Sequence, residues 1–200
     1  MPVIYDLEHV TTYRYRHPVK FGQHRGIFLP SVGYGGRVLN YSLQTNVPSK
    51  VRWMTDTLSN NVALIELPDP SDELTVTYRF RGEHFGIKSI QNFSLASRAD
   101  EVPVQYTPEE WIDLSLFMRP HAADPDGRVA AWVKRLVAGD QDETLDVLTR
   151  MMDDIWNTLS YQAREVEGTQ SPGETLQKQS GTCRDYAWLM IEGLRRLGFA

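Results

Sequence analysis

The chain has 200 residues, of which 41% are apolar and 24% charged, and its net charge is −5. This composition is that of a folded protein with one large domain or two small ones. The negative charge argues against a nucleic acid or an anionic membrane as partner, because their binding sites need a basic patch. The first residues lack the pattern of a secretory signal and no stretch approaches membrane-spanning length, so we expect a cytoplasmic protein.

Residues 1–98 alternate between strand-like segments and turns. Over 5–16, 39–47 and 74–81, apolar side chains alternate with polar ones, which is the period of a half-buried strand. Several short strands with this spacing predict an antiparallel β-sandwich. We expect this domain to support the rest of the protein or to orient a substrate.

The first predicted strand carries an aromatic stripe on one face. The stripe consists of Tyr5, Leu7, His9, Thr11, Tyr13 and Tyr15. His9 is a candidate ligand or base, but it shares a face with apolar residues, so a packed, hydrogen-bonded histidine is the preferred interpretation. We likewise predict that the tyrosines lie in the core and form no sugar-binding or base-stacking surface.

Residues 107–200 have the spacing of helices, after a predicted link at 99–106. Thr107-Pro-Glu-Glu110 is a capping box with proline at the first helical position, and it predicts where the first helix begins. Further starts are predicted at Asp124, at about residue 142 and at Ser171. We expect the apolar stripes of these helices to be core. The stripes are Trp111, Leu114, Phe117 and Met118; Val129, Trp132, Val133, Leu136 and Val137; and Leu145, Leu148, Met152, Ile155, Trp156 and Leu159. The predicted fold class is α+β.

The only cysteine, Cys183, precedes the last helical pattern of the chain. Gly181 and Thr182 are typical of a loop and a helix cap, which places Cys183 in the first turn. There, free backbone N–H groups and the positive end of the helix dipole favour the thiolate, and Arg184 adds a cation. The alternative is a buried cysteine that packs as a small hydrophobe. The predicted apolar face of this helix is Ala187, Met190, Ile191, Leu194 and Leu197.

Three acidic residues are further candidates for a site. Asp153 and Asp154 are adjacent on a helix and point in different directions, so a solvated helix face is favoured over a shared metal. Asp185 is a candidate for orienting a base, although its ordinary role near a helix start is to complement the dipole. A single cysteine allows no internal disulfide and no cysteine-rich zinc site. The sequence has no glycine-rich phosphate loop and no His-x-x-x-His, so we expect neither a metal nor a cofactor.

The residues around the cysteine resemble a known family. Gly181-Thr-Cys-Arg-Asp-Tyr-Ala187, with Leu194-Arg-Arg-Leu-Gly-Phe-Ala200 after it, is similar to the cysteine motif of the bacterial transglutaminase-like superfamily, whose members are often described as cysteine proteases. Ser171-Pro-Gly-Glu-Thr-Leu176 resembles the segment that these proteins carry shortly before the cysteine. Leu159-Ser-Tyr161 resembles the aromatic segment before that.

The first half resembles the N-terminal domain of the same family. His9 to Tyr15 has the form His-x-Thr-x-Tyr-x-Tyr, and Pro18-Val19 follows as it does in that domain. Asp56-Thr-Leu-Ser-Asn60 resembles its Asp-x-x-Gly-Asn turn, with Ser59 where glycine is usual. The two resemblances together imply a β-sandwich of residues 1–98 followed, at 107–200, by the helical first half of a papain-like, transglutaminase-like core.

The resemblance also implies a Cys-His-Asp triad with Cys183 as the nucleophile. In the family, the histidine and the aspartate come from strands after the cysteine helix, and none of the five histidines in this chain matches the base. These are His9, His17, His24, His84 and His121. We therefore expect the chain to be the front part of a longer enzyme, or a natural fragment, and to be inactive alone.

The expected function is hydrolysis of peptide or glutamine-type amide bonds in a peptide or protein substrate, through a Cys183 thioester. Protein crosslinking by transamidation is an alternative, although the chain lacks calcium-ligand spacing. A non-catalytic binding or scaffold module is another. We also expect self-association through the exposed face of the cysteine helix.

Overall fold

The computed structural model describes residues 2–30, 35–86, 95–137, 139, 142–163 and 168–200. The chain divides into two units, Met1–Phe93 and Ser94–Ala200. The first unit consists of antiparallel strands and the second mainly of helices. The predicted α+β class is confirmed.

The described residues of the first unit form six strands. They are β1 (Val3–Val19), β2 (His24–Leu29), β3 (Gly36–Thr45), β4 (Lys50–Thr55), β5 (Asn61–Glu66) and β6 (Ser71–His84). They form two antiparallel sheets of three strands, in the orders β1-β6-β3 and β2-β5-β4. The alternation patterns in the sequence identify β1, β3 and β6. They do not identify β2, β4 and β5, which are only six residues long each.

One core lies between the two sheets, as the sandwich prediction requires. It combines Ala63 and Ile65 of β5 with Leu74 and Val76 of β6. Aromatic rings also join the sheets. Phe28 stacks on Tyr78 with ring centroids 5.4 Å apart, and Tyr41 packs edge-on against Trp53 at 5.3 Å.

The aromatic stripe of β1 lies on the predicted face but outside the core. Leu7 lies opposite Phe80 and His9 opposite Tyr78, so the stripe continues the inward face of β6. Tyr5 and Tyr13 nevertheless remain 55% and 49% exposed. β1 is the outer strand of its sheet, and burial falls from the central strand to the edge. The prediction of a buried stripe is therefore wrong.

The same correction applies to His9, which is exposed. Its Nε2 lies 3.0 Å from Oγ1 of Thr11, two residues along the strand. It is hydrogen-bonded as predicted, but it is not packed in a core.

The turn between β4 and β5 is held by Asp56. Its carboxylate accepts hydrogen bonds from the backbone N–H groups of Leu58 and Asn60, both at 2.9 Å, and from Nδ2 of Asn60 at 3.0 Å. The side-chain and backbone donors of Asn60 lower the pKa of Asp56. Ser59 has a φ of 61°, in the left-handed region that favours glycine. Ser59 therefore adopts a backbone conformation that suits the glycine usual at this position of the Asp-x-x-Gly-Asn pattern.

Replacing Ser59 with glycine is expected to stabilise the first unit. A non-glycine residue in the left-handed region costs about 1 kcal/mol, and glycine removes most of that strain. We expect the free energy of unfolding in urea to rise by about 0.5 kcal/mol. The matched control is Ser42→Gly, in the interior of β3, which should lower it because glycine weakens a strand. Equal effects of the two substitutions would contradict the assignment of strain to Ser59.

Helices and very short strands build the second unit. A 3-10 helix at Ser97–Ala99 is followed by β7 (Glu101–Val102), α1 (Pro108–Met118), α2 (Arg128–Leu136), β8 (Asp142–Glu143), α3 (Thr144–Thr158), β9 (Ser160–Tyr161), α4 (Pro172–Lys178), β10 (Ser180–Gly181) and α5 (Cys183–Arg196). β7 pairs with β8 antiparallel, and β9 with β10 parallel. Buried residues of α2, α3 and α5 form the core. They are Val129, Trp132, Val133 and Leu136; Val147 and Met151; and Leu189, joined by Val102 of β7.

The helix starts follow the predicted caps. Thr107 caps α1 in a complete capping box with Glu110, and Ser171 caps α4 by accepting from the N–H of Glu174 at 3.3 Å. α2 begins at Arg128, later than predicted. The carboxylate of Asp124 still caps it, because it accepts from the N–H groups of the second and third helical residues at 3.1 and 3.0 Å.

Only some of the predicted apolar stripes are core. In α2 the stripe is buried as predicted except at Val137, which follows the helix and is partly buried against the core. In α1 only Met118 is buried, and Trp111 is 52% exposed. In α3 the buried face is that of Val147 and Met151, whereas Trp156 is 85% exposed. These helices carry apolar residues on more than one side, and periodicity alone does not say which side meets a neighbour.

α5 packs closely against α2 and α3 through Gly193. A Cβ at this position would lie 2.6 Å from Cζ3 of Trp132 and 2.7 Å from Cε of Met151. The buried face of α5 is centred on Leu189 and Gly193. The predicted face was thus rotated: Met190, Leu194 and Leu197 are partly buried against the core, while Ala187 and Ile191 are exposed.

Candidate active site

Cys183 is the first residue of α5, and its side chain is exposed. The first-turn position is the predicted one. The alternative of a cysteine buried for packing is wrong, since the thiol contacts no core. No described residue accepts a hydrogen bond from the Cys183 backbone N–H, as expected of a group at the start of a helix.

Asp185 holds the start of α5 from the buried side of the helix. It is fully buried, and its Oδ2 accepts hydrogen bonds from the N–H of Thr182 at 2.7 Å and from the Thr182 hydroxyl at 2.9 Å. Its Oδ1 accepts from the N–H of Gln170 at 2.7 Å. Asp185 was predicted to complement the dipole at an ordinary helix start. The structure places it in the first turn, as that role requires, and shows in addition that this buried carboxylate joins the residue before Cys183 to the loop before α4.

Gln170 extends this connection, and sequence analysis did not identify it. It is 3% exposed, and its Nε2 donates to Oγ1 of Thr175 at 3.1 Å and to the carbonyl of Ser180 at 2.8 Å. The side-chain amide of Gln170 therefore joins α4 to β10, and its backbone N–H joins both to Asp185 at the start of α5. A glutamine in a loop gives no sequence signal of burial, because only the tertiary fold encloses it.

Gly181 has a steric role two residues before the cysteine. A Cβ there would lie 2.9 Å from Cβ of Asp185 and 3.2 Å from Cε1 of Tyr186. The chain can approach α5 this closely only without a side chain. The glycine of the motif therefore serves the same helix start that Asp185 holds.

The exposed side of α5 carries a shallow groove that begins at Arg184, the residue after the cysteine. It is lined by Thr169, Arg184, Ala187, Trp188 and Ile191. Residues one and two turns after Cys183 lie on its side of the helix, so the groove runs away from the thiol along α5. Its walls are mainly apolar, with one cation at the cysteine end.

No imidazole of the second unit reaches this thiol. The unit has a single histidine, His121, whose backbone N–H donates to Oε1 of Glu192 at 3.0 Å. Glu192 follows Cys183 by nine residues, about 13 Å along the helix axis. The other four histidines belong to the first unit.

Glu192 is a second buried carboxylate that sequence analysis missed. It is fully buried and accepts from the N–H groups of His121 and Ala122 and from Arg195 and Arg196, at 2.8 to 3.2 Å. Burial opposes ionisation, but these donors outweigh it and hold the pKa of Glu192 at about 2, below its ordinary value of 4.5. Its spacing to the two arginines is visible in the sequence, but such pairs are usually on the surface.

The sequence analysis is also wrong about the environment of Asp154. Its side chain is 10% exposed and accepts from Nε1 of Trp132 at 2.7 Å and from both terminal nitrogens of Arg135 at 2.9 and 3.0 Å. Burial favours the neutral acid, yet Arg135 and Trp132 lower the pKa of Asp154. The prediction of a solvated helix face is correct for Asp153, which is exposed, and wrong for Asp154.

Two further observations concern the described residues as a whole. No group of three or more His, Cys, Asp or Glu side chains comes together among them in a way that could hold a metal ion. None of the described helices has the length and apolar character needed to cross a membrane.

Comparisons with known proteins find family matches in both halves of the chain. Residues 5–83 match the model of the bacterial transglutaminase-like N-terminal region, and residues 130–200 match that of the transglutaminase-like superfamily. The chain belongs to the transglutaminase-like superfamily. This confirms the resemblance drawn from the cysteine motif and from the first strand.

Nearly the whole length of this transglutaminase-like protein is similar to part of a solved structure. It is the crystal structure of a "putative cysteine protease" from Cytophaga hutchinsonii, with 17% identity and a TM-score of 0.69. The alignment covers 98% of this chain and 66% of the other. At this identity the likeness establishes a shared fold. A search of curated proteins gives no match.

Proposed function

We propose that this transglutaminase-like protein is a cysteine hydrolase that acts on peptide or glutamine-type amides through Cys183. The observation that carries the proposal is the position of the thiol: it is exposed at the first residue of α5, and a buried carboxylate two residues later fixes that helix start. A nucleophile needs both access and a fixed geometry.

The chemistry follows from this position. The Cys183 thiolate attacks the amide carbonyl, and its sulfur forms the bond to carbon while the carbonyl π electrons move to oxygen. The Cys183 backbone N–H is placed to stabilise that oxyanion. Collapse expels the amine, which takes a proton from the catalytic acid, and leaves a thioester. Water then gives a proton to the catalytic base and attacks the thioester carbonyl; the C–S bond breaks, the carboxylic acid leaves, and the sulfur takes the proton back as the thiol.

The proposal assigns the general base to a histidine that is oriented by an aspartate and that the second unit of this chain does not supply. It rests on the distance of His121 from the thiol and on the family's Cys-His-Asp arrangement. Asp185 is not assigned the orienting role, because it is fully buried and its carboxylate holds Thr182 and Gln170. The groove along α5, with Arg184 at its cysteine end, is the proposed site for the peptide substrate.

An activated ester tests the nucleophile without requiring the base, since p-nitrophenolate leaves unprotonated. We expect N-acetylglycine p-nitrophenyl ester to acylate Cys183 about fivefold faster than N-acetylcysteine at pH 7, the factor that about 1 kcal/mol of dipole stabilisation gives. Peptide mass mapping locates the acyl group, and hydroxylamine should remove it as a thioester. The Cys183→Ala variant is the control and should carry no such adduct.

The outcomes separate the alternatives. Acylation of Cys183 no faster than that of N-acetylcysteine would favour a binding or scaffold module over an enzyme. If a primary amine captures the acyl group in preference to water, the transferase alternative is favoured over hydrolysis.

A further inference from the structure

The outer edge of β1 is available for pairing with another strand. β1 pairs with β6 on one side, and no strand in the described part of the chain pairs with its second edge. It is 17 residues long, and nearly all of its side chains are exposed. Such an edge presents a row of unpaired N–H and C=O groups.

Charged residues follow a simple order along this edge. On the outward face of the sheet, Asp6 and Glu8 lie in the first half of β1 and Arg14 lies in the second. Arg16 follows in the stretch of β1 where the pairing with β6 is irregular, between Arg14 and Val19. Charges on an edge strand usually oppose strand addition. Here the opposite signs at the two ends make β1 attractive to an antiparallel copy of itself and repulsive to a parallel copy.

We propose that two copies of this chain associate through antiparallel pairing of β1 with β1, in one continuous six-stranded sheet. The two-fold axis passes through Thr11. Glu8 then faces the partner's Arg14, and Asp6 faces the partner's Arg16. Moving the axis by one residue in either direction breaks both contacts and forms a single different one, Glu8 with the partner's Arg16 or Asp6 with the partner's Arg14, so charge selects the register.

The other face of β1 fits the same register. Leu7 faces the partner's Tyr15, and His9 faces the partner's Tyr13. Leu7 is 50% and Tyr13 is 49% exposed in the single chain, and pairing covers both. Cross-strand contacts between aromatic and aliphatic side chains stabilise such a pair.

The existing ion pairs of β1 are compatible with this association. Glu8 binds Nε of Arg79 through Oε2 at 2.8 Å, and Arg14 binds Oε2 of Glu73 at 2.9 Å through Nε. Both pairs are exposed and use one atom of each group, so further partners can be accepted. Arg16 has no carboxylate within salt-bridge distance among the described residues, and pairing supplies one.

Sedimentation velocity over a range of protein concentrations tests the proposal. We expect a monomer–dimer equilibrium that weakens as salt is raised. The double variant Arg14→Glu, Arg16→Glu should weaken the dimer about 100-fold, because four attractive contacts become repulsive. The matched control, Lys50→Glu with Arg52→Glu, places the same change on exposed residues of β4 and should leave the equilibrium unchanged. A monomer at every concentration would overturn the proposal.

Cysteine crosslinking tests the register in a Cys183→Ala background. Residues that face each other across an antiparallel pair are about 5 Å apart, within reach of a disulfide. Thr11→Cys should therefore yield a covalent dimer under oxidation. Thr12→Cys should not, because the two copies of that position lie diagonally, about 7–8 Å apart. A dimer that survives the charge reversal, resists the Thr11→Cys crosslink and is lost in Ile191→Lys would assign association to the exposed face of α5 and overturn the proposal.

Discussion

Replacing Glu192 with glutamine is expected to lower the free energy of unfolding of the second unit by about 3 kcal/mol. The substitution keeps the shape of the side chain but removes the charge that Arg195 and Arg196 face at 2.8 and 3.0 Å. Those guanidinium groups are only 17% and 15% exposed, so they would lose their counter-charge in a largely buried site. Urea unfolding followed by tryptophan fluorescence measures the effect, since four of the five tryptophans lie in this unit.

The same carboxylate predicts a pH dependence. Its pKa is about 2 in the folded protein against an ordinary 4.5, so the stabilisation is fully present above pH 4.5 and is lost as the pH falls towards 2. A shift of this size corresponds to about 3 kcal/mol. Between these pH values, the unfolding free energy of the parent should decline more steeply than that of Glu192→Gln. The control is Glu109→Gln, an exposed glutamate, which should change stability by less than about 0.5 kcal/mol. Equal stability of parent and Glu192→Gln at pH 7 would contradict the role assigned to Glu192.

Replacing Asp185 with asparagine should both destabilise the second unit and slow the reactions of Cys183. One carboxylate oxygen becomes an NH₂ group, which cannot accept the hydrogen bond of either Thr182 or Gln170. A buried donor without a partner costs about 2 kcal/mol. Because Thr182 directly precedes Cys183, the first turn of α5 should loosen. Urea unfolding and the rate of acylation at Cys183 measure the two effects.

Asp153→Asn is the matched control for this variant. The same chemical change then falls on an exposed residue of α3 and should alter neither quantity. If Asp185→Asn lowers stability but leaves the acylation rate unchanged, the helix start is structural only. A variant as stable as the parent would contradict the buried network itself.

In this protein, the sequence predicts local structure better than it predicts which residues are buried. Caps at Thr107 and Ser171 are local interactions between neighbours, and the structure has both. Burial depends on which side of an element meets another element. Alternation placed Tyr13 on the correct face of β1, but only the edge position of that strand shows that the face is open.

The same distinction between local and tertiary features applies to the candidate site. The first-turn position of Cys183 follows from Gly181, Thr182 and the helical spacing after them, all within one segment. The supports of that turn come from elsewhere: Gln170 precedes α4, and its contact with Asp185 spans 15 residues. No local pattern marks Gln170, because its role exists only when the loop folds back on the helix.

The most direct test of the account is the rate at which iodoacetamide alkylates Cys183 in the native chain and in the same chain unfolded in urea, both at pH 7. Unfolding removes the helix start and the hydrogen bonds of Asp185 while leaving the neighbouring residues in sequence unchanged. If α5 activates the thiol, the native chain reacts faster, by about fivefold for a helix-start stabilisation of about 1 kcal/mol. A native rate equal to or below the unfolded rate would contradict the assignment of Cys183 as an activated nucleophile.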